Sequence, residues 1–190
     1  TLTVVEPTSN GIGGDAFAIV WMNGEIHGLN SSGPAPTSLT IDAVKSLGHE
    51  KMPVHGLVPI TVPGVPAAWA ALSKKFGRLP LSEVLAPAIR YAEEGYPISP
   101  IVGHFWNLSY NRFKETFKEV YYKEWFNVFS LNDRAPEVGE IWRSPGHAKT
   151  LRAIAKTNAE DFYRGETAQK IDTFMKEHGG FLSADDLASY

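Results

Sequence analysis

The chain has 190 residues, a hydrophobic fraction of 43%, an aromatic fraction of 12% and a formal charge of −3, which is ample for a buried core and excludes a disordered chain. The mild acidity leaves no basic footprint for nucleic acid, and no uninterrupted apolar run approaches the ~20 residues that span a bilayer. With Cys at zero, disulfides, thiolate chemistry and cysteine metal sites are excluded, while the compartment stays open.

In chain order, the apolar run through Val4-Val5 ends at Pro7 and reads as a strand. It feeds the turn cluster Thr8-Ser9-Asn10 and the glycine loop Gly11-Ile12-Gly13-Gly14. Ala16–Trp21 and Glu25–Leu29 flank Asn23-Gly24, whose residues tolerate the positive φ of a type I′ turn, so the two runs are expected as an antiparallel hairpin. Asn30 to Thr40 is a polar loop rich in Pro and Gly. Thr40 is placed to cap a helix over Ile41–Leu47. Lys51 to Gly56 reads as loop and Leu57–Val62 as a short strand despite Pro59. Pro63-Gly64-Val65-Pro66 then opens a helix to Phe76, with Pro66 in the first turn. Ser82 starts a second helix, Glu83–Glu94, with Val84, Leu85, Ala88, Ile89 and Ala92 at helical spacing. Ser99-Pro100 opens an aromatic-rich helical stretch, Ile101 to Trp125, broken once. Ser144-Pro145 repeats that signature ahead of His147–Lys156. Short and long helices follow at Glu160–Tyr163 and Glu166–His178, and Ser183 with Asp186 forms a capping box leading into Leu187. The chain stops at Tyr190 just after a freshly capped helix, which reads as an excerpt of something longer.

Chemistry-bearing candidates are few. The glycine loop fits neither G-x-G-x-x-G nor the P-loop. Its lack of Cβ atoms at Gly13 and Gly14 instead lets a substrate or another part of the protein approach the backbone. Asp15 is a candidate catalytic acid or, more simply, an Asp accepting backbone N–H bonds in a turn. The histidines His27, His49, His55, His104, His147 and His178 are scattered, with no H-x-x-x-H or H-E-x-x-H spacing, so no metal site is indicated. The aromatics from Phe105 to Phe129 lack interleaved basic residues and read as a core or lid stripe rather than a stacking platform. Thr1 has the chemistry of an N-terminal nucleophile with its own amine as base, yet it merely begins an apolar run.

Three ordered stretches carry a family resemblance. VVEPTSNGIGGDAF (4–17) resembles the glycine-loop signature of the γ-glutamyltranspeptidase family. VPGVPAAWAALSKKFGRLPLSEVLAPAIRYAEEGYPISP (62–100) is similar to its V-P-G … FGRLP … PAI segment, and FYRGETAQKIDTFMKEHGGFLSADDLASY (162–190) to its F-Y-x-G … DL-x-x-Y block. Phe105 to Arg134 aligns with no motif. The resemblance implies an N-terminal-nucleophile (Ntn) hydrolase, made as one precursor that cuts itself into a large and a small subunit. The freed Thr of the small subunit then attacks a γ-glutamyl amide such as glutathione. In that layout the nucleophile lies far downstream of the DL-x-x-Y block, so Thr1 is not the nucleophile, the chain is an internal piece of the large subunit, and it holds no catalytic residue itself. Its partners would be a small-molecule amide substrate and the small subunit; no cofactor is implied.

The resemblance also implies an α+β fold. Residues 1–62 would supply the strand-rich part of an αββα sandwich, with the glycine and substrate loops, and residues 63–190 a mostly helical region. Asn30, Ser31 and Ser32 are the substrate-loop candidates, and Gly13 and Gly14 the adjoining floor; turn hydroxyls bonding their own backbone is the other reading of those serines. Aligned on Ala35-Pro36, Ser32 occupies the place of an Arg that pairs with the glutamate α-carboxylate in true γ-glutamyl enzymes. Replacing that planar charged fork by one neutral hydroxyl removes about 1.5–3 kcal/mol of binding. Ser32 and the Gly-Asp of GIGGDAF therefore fit the divergent γ-glutamyltransferase-like or cephalosporin-acylase-like branch. The contrasting expectations are an acylase without γ-glutamyl specificity, or a non-catalytic helical binding or assembly module that keeps the family's shell.

Overall fold

The computed structural model describes all 190 residues, Thr1 to Tyr190. It is an α+β chain of helices α1 (Leu2–Val5), α2 (Ile41–Ser46), α3 (Val65–Phe76), α4 (Leu81–Glu94), α5 (Pro100–Thr116), α6 (Lys123–Phe129), α7 (Pro145–Thr157), α8 (Glu160–Arg164), α9 (Glu166–His178) and α10 (Ala184–Ala188). The strands are β1 (Ala16–Met22), β2 (Glu25–Ser31), β3 (Tyr96–Pro97) and β4 (Ile141–Trp142). They form two separate two-stranded antiparallel sheets, β1–β2 and β3–β4. Contacts group the chain into two compact units, each drawing on both sides of residue 62. One holds Thr1–Gly11 and Ser82–Arg152, the other Ile12–Leu81 and Ala153–Tyr190.

The first unit is organised by aromatic rings. Trp142 and Trp106 are fully buried, with centroids 5.1 Å apart and tilted edges, and Tyr96 and Phe129 pack on Trp142 at 6.0 and 6.3 Å. Two of the rings find a partner for their polar atom, as burial favours: Trp106 Nε1 donates to the Phe129 carbonyl at 2.8 Å, and the Tyr96 hydroxyl donates to the Val4 carbonyl at 2.9 Å. Trp106 and Tyr110 face inward from α5, so this part of the aromatic stretch is core. The stretch breaks once, at Phe117–Glu119, resumes as a 3-10 turn over Val120–Tyr122 and continues as α6.

Two expected strands are absent. Val4-Val5 lies in the single helical turn α1, where the amides of Val4 and Val5 both donate to the Thr1 carbonyl; a four-residue apolar run cannot by itself distinguish strand from helix. Leu57–Val62 runs as bends and turns. Pro59 has no N–H to enter a ladder, and the amide of Val62 donates to a loop carbonyl, that of Pro34, at 3.0 Å. The pairing of Tyr96 with Trp142, by contrast, has no signal in strands two residues long.

In the second unit the hairpin forms as its turn chemistry dictates. Asn23 and Gly24 take φ of 54° and 83°, and the register runs from Met22↔Glu25 to Ala16↔Ser31. One face, with His27 against Phe76 at 5.1 Å, packs on α3. The other presents Phe17, Ile19, Trp21 and Ile26, exposed by 70%, 83%, 67% and 69%. Thr40 caps α2 by accepting the Ala43 amide. At α10 the Ser183/Asp186 capping box is complete, and Asp186 also accepts the Thr37 amide at 2.8 Å. No helix is long and apolar enough to cross a membrane.

Beside β4, Arg134 clasps Glu140 with two parallel bonds of 2.8 and 2.9 Å, and Glu140 also accepts the Glu137 amide. The guanidinium first, and that amide second, hold the Glu140 carboxyl well below its ordinary 4.5, at about 2. A carboxylate with a depressed folded pKa stabilises the fold above the unfolded value, and that contribution is lost as pH falls towards the folded one. Thermal melts of wild type should therefore show a loss between pH 4.5 and about 2 that Glu140→Gln lacks; identical acid profiles would refute the assignment.

Candidate functional site

The register Ala16↔Ser31 brings the glycine loop and the serine loop to the same end of the hairpin, opposite Asn23-Gly24. A third segment, Val62 to Val65, lies against both. The Gly14 carbonyl accepts the amides of Gly64 and Val65 at 3.0 and 3.1 Å, and the Pro34 carbonyl accepts that of Val62. Asp15 Oδ1 accepts the Gly33 amide at 3.2 Å. Asp15 thus accepts a backbone N–H as a turn residue would, but from the neighbouring loop.

Contact here is backbone on backbone. A Cβ built on Gly33 would lie 1.6 Å from the Val62 carbonyl oxygen, and one on Gly64 only 1.8 Å from that of Ser31. Gly64 has an ordinary helical φ of −90°, so it is space rather than conformation that demands glycine there.

Every donor in the first turn of α3 is accounted for. Helix starts leave amides without intrahelical partners; Val65 gives its amide to Gly14, Pro66 has none, and Ala67 donates to the Tyr163 hydroxyl at 3.1 Å. That hydroxyl in turn donates to the Pro63 carbonyl at 2.6 Å. Burial raises the Tyr163 pKa to about 12, so the phenol keeps its proton. This helix start has no amides left for an anion, which agrees with the glycine loop matching no phosphate motif.

The five candidate residues divide by exposure. Gly13 and Gly14 are exposed, and a Cβ on either would meet nothing within 4 Å. Asn30 and Ser32 are exposed at the rim, the Ser32 amide and hydroxyl both donating to Asn30 Oδ1, at 3.0 and 2.8 Å. Ser31 points inward, 4% exposed. Its Oγ donates to the Gly64 carbonyl at 2.8 Å and lies 2.7 Å from the Tyr190 hydroxyl. Sequence reasoning did not single out Gly33, Gly64, Tyr163 or Tyr190. The last three lie inside the V-P-G, F-Y-x-G and DL-x-x-Y motifs, and that was the available signal.

The family model described as Gamma-glutamyltranspeptidase matches residues 1–190, and the chain belongs to that family. It is 31% identical to the glutathione hydrolase-like YwrD proenzyme of Bacillus subtilis, covering 100% of this chain and 35% of that protein. It superimposes on the crystal structure of cephalosporin acylase from Bacillus halodurans with a TM-score of 0.97 and 57% identity, over 100% of this chain and 35% of that one. For the γ-glutamyltranspeptidase of Helicobacter pylori the TM-score is 0.87 at 33% identity, over 100% of this chain and 54% of that one. The chain therefore spans only about a third to a half of the proteins it matches here.

Gly64→Ala should be strongly destabilising, because separating two backbones to admit a methyl group costs about 1–3 kcal/mol or more. Gly13→Ala, with open space at its Cβ, should melt close to wild type. Equal melting temperatures for the two variants would overturn this account of the loop junction.

Proposed function

We propose that this chain is part of the large subunit of a γ-glutamyltransferase-like Ntn amidohydrolase, acting on γ-glutamyl or related N-acyl amides. Its nucleophilic Thr is supplied by polypeptide outside these residues, the small subunit of the same precursor. The observation that carries the reading is the junction of the glycine and serine loops, where a floor without side chains lies beside a rim of Asn30 and Ser32, with Ser31 turned inward between them. In this reading Gly13 and Gly14 let an acyl group lie against the backbone, and Asn30 and Ser32 address it from the side. Membership of the family supports it, as does the name proenzyme carried by the Bacillus subtilis relative.

The hairpin supports a sandwich. β1 and β2 are apolar on both faces, and only one face is covered by α3. Strands of this kind belong in the middle of a layered structure. Covering Phe17, Ile19, Trp21 and Ile26 would gain about 1.5–3 kcal/mol for each side chain fully buried. We assign that cover to the second sheet of an αββα sandwich, built with the small subunit. In this scheme residues 1–62 bring strands and substrate loops, and residues 63–190 the helical region.

The high likeness to a cephalosporin acylase and the neutral Ser32 favour an acyl specificity broader than γ-glutamyl. Full-length protein tests both halves of the proposal. Denaturing electrophoresis with N-terminal sequencing should yield two fragments, the smaller beginning with Thr; an uncut chain that releases no glutamate from glutathione and cleaves no N-acyl amide would leave the shell-only binding module as the better reading. Ser32→Arg should improve kcat/KM for γ-glutamyl substrates by roughly tenfold or more, the equivalent of a charge-assisted contact of about 1.5–3 kcal/mol. Unchanged or poorer kinetics would mean that Ser32 does not stand where the α-carboxylate binds.

A further inference from the structure

Ser31 Oγ has one proton and two neighbours. The Gly64 carbonyl can only accept, so the Ser31 proton goes there. The Tyr190 hydroxyl, 2.7 Å from the same oxygen, must then be the donor to it. The result is a directed chain, Tyr190 O–H to Ser31 Oγ–H to the Gly64 carbonyl, joining the end of α10, the end of β2 and the turn before α3. The neighbouring Tyr163 ring, 5.4 Å away, holds the preceding carbonyl, Pro63, and the Ala67 amide. One phenol directly and the other through Ser31 thus hold consecutive carbonyls of one turn, and that turn holds Gly14 through the amides of Gly64 and Val65.

We propose that Tyr190 is a positioning residue, which through Ser31 sets the Asn30–Ser32 loop against the glycine floor and so tunes capture of the amide substrate. The inference rests on the functional reading above and deepens it. Tyr190 touches no substrate in this scheme. It acts by holding the Ser31 hydroxyl on the Gly64 carbonyl, and with it the Asn30–Ser32 backbone against the turn before α3.

Tyr190→Phe deletes the hydroxyl and keeps the ring beside Tyr163; Ser31→Ala breaks the same chain from the other end. In the full-length, processed protein, Tyr190→Phe should raise KM for a chromogenic γ-glutamyl or N-acyl anilide about tenfold, the effect of losing one neutral hydrogen bond of about 1.4 kcal/mol, with kcat within about twofold. Fragment yield on processing should be unchanged. The Tyr190→Phe/Ser31→Ala double variant should be no worse than the weaker single, because both break one chain. Amide hydrogen exchange of Ser32 and Gly33, whose N–H groups bond Asn30 and Asp15, should quicken in both single variants. A melting-temperature drop with KM and exchange unchanged, or losses that add in the double variant, would overturn the proposal. Should either single variant fail to fold, the other alone decides by the same readouts. Exchange is read on resting protein, so it decides the positioning role even if the wild type hydrolyses neither anilide, a result that would sink the functional reading separately.

Discussion

In the second unit the Gly64 α-carbon and the Ser31 carbonyl approach so closely that no methyl group could fit between them. The rest of the candidate site depends on that proximity. It lets residues 31–34 and 62–65 lie side by side, puts the amides of Gly64 and Val65 under Gly14, and leaves Ser31 Oγ within reach of the Gly64 carbonyl. A junction made this way is held by directional bonds between main-chain groups rather than by interlocking apolar side chains. Its polar groups are partly buried, and each that failed to find a partner would cost about 1–3 kcal/mol. That penalty makes the arrangement selective as well as stable: small displacements leave several donors unpaired at once.

The two units use different physics. Around Trp106 and Trp142 the first is an apolar core in which tilted rings fill space and the polar atoms of Trp106 and Tyr96 bond nearby carbonyls. In the second, the hairpin is apolar on both sides while its loop end is polar. This division places the polar groups at one end of a pair of strands, opposite the Asn23-Gly24 turn.

Much of the local structure was legible because its causes are local. Asn23-Gly24 specifies a turn by the φ values its residues tolerate, Thr40 and Ser99 cap the helices that follow them, and the Ser183/Asp186 box closes within one helical turn. The errors fall where the cause is distant. Val4-Val5 and Leu57–Val62 look like strands by composition, but a strand needs a neighbour, and neither has one. Tyr96–Trp142 pairs through strands too short to leave a pattern. Ser31 turns inward with the pleat that also turns His27 and Leu29 inward, but its partner is a hydroxyl 159 positions away, which no periodicity reports. Family motifs reached further than periodicity, since they contain Gly64, Tyr163 and Tyr190, but a motif marks a position without saying what holds it.

The commitment of Ser31 to the interior determines what the loop can offer outwards. Its proton is used on Gly64 and its lone pair on Tyr190, so of the three only Asn30 and Ser32 are exposed. The Ser32 proton is also engaged, on Asn30 Oδ1, leaving the Asn30 amide N–H2 as donor and the Ser32 oxygen as acceptor. One neutral donor and one neutral acceptor can address a carbonyl and an N–H, the groups of an amide. They cannot hold a carboxylate as a guanidinium does, with charge and two parallel bonds. Within the proposed reading, an N-acyl amide is therefore matched by the loop as folded, whereas a free α-carboxylate would need a cation brought to the rim from beyond Asn30–Ser32.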